Sequence, residues 1–296
     1  MLEGEAAAVT RAWDFQREAG ITDVPVALDK YLGVANAELH VRDNLKDTEA
    51  GQTFAIGDRH HIIVNGRHSP ERQRFTVLHE LAHIQLALPS KHGQSISVDQ
   101  LLRYNGRPRE EILCDVFASE CLLPRQFFLG DARKLPCSFR SVEELAERYC
   151  ASLATTGSRF AAYNENLCAW ILCDDKRVRY VSCSPSLREA GFFLKTGTEV
   201  PAKSVLGRIM SGAPDVKAGA PEVVPSYVWI NSDCAGIDEF TETAVASQAH
   251  SQGLVLLCAE DAPPRDHRRS ESPRDEDELL PELDGLLKFP GRKRRK

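Results

Sequence analysis

Between Ser69 and Pro89 the chain is constrained to a buried helix. Ser69-Pro70-Glu71-Arg72 is a helix start, with a capping serine, proline at the first position and acid in the first turn. Phe75, Val77, Leu78, Leu81, Ala82, Ile84 and Leu86 follow, and they leave almost no polar face. A helix apolar nearly all round must be surrounded by protein. Pro89 ends it. His79, Glu80 and His83 sit inside this apolar run. Residues i and i+4 share a helix face, so the two histidines project side by side and suit a single zinc ion. Glu80 is beside them, placed to take a proton from water activated there. A charged glutamate in such a helix is costly without a task. The competing reading is two core histidines satisfied by backbone carbonyls.

Zinc used in catalysis needs a third protein ligand and one open position. The next buried helix, from about 108 to 123 and stopped by Pro124, offers Glu111 and Asp115 at i and i+4. Glu111 is the candidate third ligand. Asp115 is placed to hold the free ring nitrogen of a ligand histidine, fixing its tautomer. Glu110 is the rival ligand, one residue off that face. An ordinary solvated acidic face is the bland alternative, and Leu113, Phe117 and Ala118 weigh against it by requiring burial nearby.

Phe75-Thr-Val-Leu-His-Glu-Leu-Ala-His83, followed by Glu111-x-x-Cys-Asp-x-Phe-Ala-x-x-x-Leu-Leu-Pro124, resembles the ImmA/IrrE metallopeptidase family. The Glu-x-x-x-Asp pairing is also similar to that of gluzincin peptidases. Cys114 stands where that family usually has alanine, and no residue separates Leu122-Leu123 from Pro124. Neither departure touches a proposed ligand. The resemblance covers about residues 20–165.

The resemblance implies a cytoplasmic zinc endopeptidase that cleaves a protein partner. The implied partner is a helix-turn-helix transcriptional repressor, whose loss releases a stress-response or mobile-element operon. Zinc on His79, His83 and Glu111 would lower the pKa of its water, with Glu80 passing the proton to the leaving amine. His60, His61, His92 and Tyr104 are candidates for a further oxyanion donor, each against an ordinary surface role. Residues 142–163 resemble the helix-turn-helix-like segment that follows the family's peptidase core. Its second helix carries one cation, Arg159, which makes it a poor DNA reader and favours a structural or docking role. Residues 166–260 are similar to a C-terminal sensor domain of GAF type.

The remaining pattern predicts an α+β chain. Residues 5–19 and 26–32 read as helices, and 37–41, 52–56 and 61–65 alternate as a small antiparallel sheet. Ser141-Val-Glu-Glu144 reads as a capping box opening a helix, with another over 152–163. Strands are expected at 167–172, 178–183, 223–230 and 253–259, with α-prone stretches at 204–211 and 240–251. The expected organisation is a zincin-like metallopeptidase domain over 1–135, the helix-turn-helix-like segment over 136–165, and a C-terminal α+β domain over 166–260. A disordered charged tail is expected over 261–296, ending in a basic tip.

With 296 residues and a net charge of −6, the chain lacks the basic excess of a general nucleic-acid binder. Direct DNA binding through 141–163 and the basic tip is therefore a minor alternative. A non-catalytic, metal-stabilised regulator acting through 166–260 is the other. No secretory signal and no apolar stretch of membrane-spanning length is read, so the expectation is cytoplasmic and off the membrane. Nine cysteines without a Cys-x-x-Cys pair argue against a disulfide framework or zinc ribbon, and Cys168, Cys173 and Cys183 read as small buried residues.

Overall fold

The computed structural model describes residues 3–88, 108–213, 216–230, 236–247 and 252–259. The expected loop over 90–108, with His92 and Tyr104, and the charged tail over 261–296 lie outside the described residues. So does the end of the α-prone stretch 240–251.

Helix α3, Pro70–Gln85, is capped by Ser69, whose hydroxyl accepts from the Arg72 amide. Every residue from Thr76 to His83 is buried. Helices α2 (Leu28–Val34) and α4 (Arg109–Leu122) pack on it, and α1 (Glu3–Glu18) packs on α4 and α2. Phe15 of α1 lies 4.9 Å from the Tyr31 ring and 5.8 Å from the Phe117 ring, which locks α1, α2 and α4 together.

A three-stranded sheet covers the other side of α3. Its strands are β1 (Ala37–Arg42), β2 (Gly51–Ile56) and β3 (Arg59–Asn65), in the order β1-β3-β2. The sheet is mixed, where the sequence predicts an antiparallel one. β2 and β3 form an antiparallel hairpin around Gly57, but β1 runs parallel to β3. Alternation identifies strands without naming their neighbours. The connection over residues 43–50 is long enough to carry the chain past the central position, which β3 then fills. Asn65, fully buried at the end of β3, pins that connection by donating to the carbonyls of Lys46 and Glu49.

Pro124 ends α4 and also opens a helix the sequence reading does not contain, α5 (Arg125–Arg133). Proline is tolerated where a helix starts, because its missing N–H would lack a helical partner there. Helix α6 (Phe139–Tyr149) begins earlier than the expected capping box. Ser138 is its cap, accepting from the Ser141 amide, and Ser141 is itself in the first turn. Helix α7 (Leu153–Tyr163) is capped by Ser152.

The C-terminal half is a five-stranded antiparallel sheet of β4 (Cys168–Asp174), β5 (Arg177–Cys183), β6 (Pro221–Pro225), β7 (Glu239–Ser247) and β8 (Gln252–Cys258). The strand order is β5-β4-β8-β7-β6. Two short helices, α8 (Pro185–Glu189) and α9 (Val205–Met210), accompany it. The stretch from Phe240, expected to be α-prone, is strand β7. Thr241, Thr243 and Val245 are β-branched, and pairing on both sides by β6 and β8 overrides helix propensity. The strand expected over 223–230 stops at Pro225 and continues as a short 3-10 turn over Ser226–Val228.

Both faces of this sheet are covered. Cys168, Trp170 and Leu256 join the core of the helical half, whereas Ala169, Ile171, Cys173, Val255 and Leu257 build a second core. That explains why β4 is a continuous apolar run instead of alternating. Helix α7 lies at the junction. A Cβ added at Gly157 would meet the Trp170 ring at 2.2 Å, so glycine permits the close approach of helix and sheet. Residues Met1–Ala262 form one compact unit. No helix among the described residues is long and apolar enough to cross a membrane.

Candidate metal centre

Helices α3 and α4 pack side by side and bring their polar residues face to face inside the apolar core. His79, Glu80 and His83 are all at most 3% exposed. The ring centroids of His79 and His83 are 5.1 Å apart. From α4, the Glu111 carboxylate reaches both rings, at 3.2 Å from His79 Nε2 and 3.6 Å from His83 Nε2. Asp115 Oδ1 lies 2.9 Å from the other nitrogen of His79, Nδ1. Thus Glu111, and not its neighbour Glu110, holds the position between the histidines. The one-turn spacing on each helix places His79, His83, Glu111 and Asp115 in a single patch, with Glu80 next to His79 along the chain.

The His79 ring feels opposed influences. Burial disfavours its charge, but hydrogen bonds to Asp115 and Glu111 outweigh that and raise its pKa to about 10. Two imidazoles converging on a carboxylate, with a further carboxylate behind one ring, form a donor set suited to a borderline divalent cation such as zinc.

Cys114 is a second possible donor that sequence reasoning treated only as a small-residue swap. Its sulfur, with one nitrogen from each of His79 and His83, forms a group whose ligand atoms lie within 4.8 Å of one another. It precedes Asp115 by one residue and is fully buried. Gly51 also escaped the sequence reading. It opens β2 against the middle of α3, where a Cβ would lie 2.5 Å from Thr76 Cγ2 and 3.6 Å from Glu80 Oε1. A close approach of strand to helix leaves no periodic signal in sequence.

The candidate oxyanion donors separate by strand parity. His60 shares the face of Ile62 and Val64, toward α3, whereas His61 is on the opposite face. There His61 Nδ1 is 2.9 Å from His40 Nε2, and Phe54 stacks on its ring. His61 is therefore directed away from the centre. A surface cleft of about 260 Å³ lined by Thr22, Asp23, Gln126, Asp131 and Arg148 shares no residue with the centre.

Arg159, the one cation of α7, turns inward. It pairs with Glu120 Oε2 at 2.7 Å and lies over the Tyr163 ring. Glu120 also accepts from Trp13 Nε1, so this helix is tied by its basic residue to α4 and α1.

Residues 35–160 match the family described as the IrrE N-terminal-like domain. This stretch is thus similar to the ImmA/IrrE metallopeptidases. The chain is 31% identical over 116 residues to the radiation response metalloprotease IrrE of Deinococcus deserti, covering 36% of this chain and 37% of that protein. It is 25% identical over 248 residues to the protein of the same name from Deinococcus radiodurans, covering 73% of this chain and 68% of that one. The match thus spans little more than a third of the first relative and about two thirds of the second. A Mycobacterium tuberculosis transcriptional regulator has a similar fold, with a TM-score of 0.53 at 14% identity over 88% of this chain and 77% of that one.

Proposed function

We propose that this chain is a zinc-dependent endopeptidase acting on a specific protein partner. The observation that carries this reading is the convergence of His79 Nε2 and His83 Nε2 on the Glu111 carboxylate. His79, His83 and Glu111 would hold the ion, and Glu80 would be the general base. A zinc ion bound there supplies Lewis acidity toward a water molecule and the peptide carbonyl. Asp115 holds His79 Nδ1 and thereby fixes which nitrogen faces the centre. Glu80 takes the proton of the attacking water and delivers it to the departing amide nitrogen. The apolar walls of α3 and α4 strengthen these charge interactions by excluding bulk water. Glu111 is favoured over Cys114 as third ligand because its two oxygens face both rings while its side chain keeps 12% exposure, toward an accessible side. Cys114 is fully enclosed.

The substrate segment is proposed to dock along β2, an edge strand among the described residues. Its main-chain groups are available to an added strand. Gly51 at its start brings that edge against Glu80. The partner is proposed to be a helix-turn-helix repressor in a cytoplasmic stress-response or mobile-element switch. The radiation response named for the relatives supports the stress setting. Residues 1–135 are proposed as the peptidase domain, 136–165 as a helix-turn-helix-like segment used for packing or docking, and 166–260 as a sensor domain of GAF type. The inward turn of Arg159 supports packing over DNA reading.

The test is zinc content of the purified chain beside Glu111→Ala and Cys114→Ala. The expected result is about one zinc in the parent and in Cys114→Ala, with a large loss in Glu111→Ala. Loss confined to Cys114→Ala would replace Glu111 by Cys114. A parent that holds no zinc after loading would overturn the enzyme reading and leave a regulator acting through the C-terminal half.

A further inference from the structure

Three thiols meet at the seam between the helical half and the C-terminal sheet, far apart in sequence and outside the metal centre. Cys137 lies in the connection between α5 and α6, Cys168 opens β4 and Cys258 closes β8. Cys168 and Cys258 are register partners on adjacent strands, and both belong to the sheet face turned toward the helices. The Cys137 sulfur is 3.0 Å from the Cys258 sulfur, and the Cys258 thiol also approaches the Cys137 carbonyl at 3.4 Å. Cys137 is within hydrogen-bonding reach of Cys168 as well. It is thus the middle member of the group. Cys137 and Cys258 are partly buried, and Cys168 is buried.

We propose that Cys137, Cys258 and Cys168 form a site oxidised by hydroperoxides, with Cys137 as attacking thiol and Cys258 as the thiol that closes the disulfide. Hydrogen bonds donated by Cys168 and Cys258 stabilise the Cys137 thiolate and hold its pKa below the ordinary thiol range. The thiolate attacks the O–O bond, forming a sulfenic acid and releasing hydroxide, or alkoxide from an organic peroxide. The Cys258 sulfur then attacks the sulfenic sulfur, forms the S–S bond and expels the second oxygen as water. Two thiols are oxidised and one peroxide is reduced by two electrons, so the step needs no other reagent. Reaching a bonded separation of about 2.05 Å requires movement of only about 1 Å. The new bond would tie the α5–α6 connection to the end of β8, across 121 residues of sequence.

The experiment treats the purified full-length chain with a slight excess of hydrogen peroxide, alkylates remaining thiols under denaturing conditions and maps the peptides by mass spectrometry. A Cys137–Cys258 link is expected, reversed by dithiothreitol, and formed about tenfold or more faster than oxidation of Cys150 and Cys183, which have similar exposure. In Cys258→Ser the link is expected to pass to Cys137–Cys168. In Cys137→Ser no link among the three should form. Oxidation of Cys150 or Cys183 ahead of Cys137 in the parent would overturn the proposal. So would a native chain whose Cys137 and Cys258 both stay reduced, a result that needs no variant.

Discussion

The two hydrophobic cores each bury carboxylates, and they treat them differently. In the helical half, Glu111 and Asp115 face the rings of His79 and His83, partners that can exchange protons or bind a cation. In the C-terminal half, Glu242 is fully buried but accepts from Trp229 Nε1 at 2.8 Å and from the Leu206 amide at 2.9 Å. Those donors neither release a proton near neutral pH nor ligate a metal. Burial alone therefore does not mark a reactive acid. The partner distinguishes the two: a carboxylate against imidazoles has neighbours able to share a proton or a cation, and one against an indole and a helix amide has only fixed donors.

The sharpest way to break this contrast is Glu80→Gln. It should keep metal content and lower cleavage of the partner protein by about 10²–10⁴-fold in kcat/KM. Unchanged cleavage would place Glu80 with the scaffold carboxylates. Asp115→Asn acts one hydrogen bond behind His79, a proposed metal ligand. It should weaken metal affinity by about 10–100-fold, read by competition with a chelator. Gly157→Ala tests the seam between the cores. A methyl group driven against Trp170 should cost about 1–3 kcal/mol in a urea titration, leaving metal affinity of the folded protein unaltered.

The smallest effect belongs to Glu242→Gln. Burial raises the Glu242 pKa above its ordinary value, and its donors only partly oppose this. The folded state therefore binds a proton more readily than the unfolded state. This contribution to stability is fully present below the unfolded pKa and fades as pH rises through the folded one. The urea midpoint of the parent, measured relative to Glu242→Gln, should fall between acidic and neutral pH. A difference that is flat with pH, or rises, would show that Glu242 folds in its charged form.

The chain by itself determined helix α3. Ser69, Pro70 and the apolar run to Leu86 fix a helix with one possible face for His79 and His83, because both helical period and capping are local. The same locality made Glu111 and Asp115 legible as a pair on one face. It also made α4 legible, although not α5, whose opening Pro124 looked like a stop alone.

Only the tertiary structure decided relations between segments far apart in sequence. It set Glu111 against both rings, put Cys114 close enough to compete, turned His61 outward and brought Gly51 to Glu80. It made β1 parallel to β3 and turned the helix-prone stretch at Phe240 into a strand, since pairing on both sides outweighs local propensity. Cys137, Cys168 and Cys258 carry no shared motif, and their meeting depends on two strands and a loop arriving at one seam. Local sequence encodes which face a side chain occupies. Which other face it meets is settled by how the cores close, and that is where the distances governing this protein's chemistry are set.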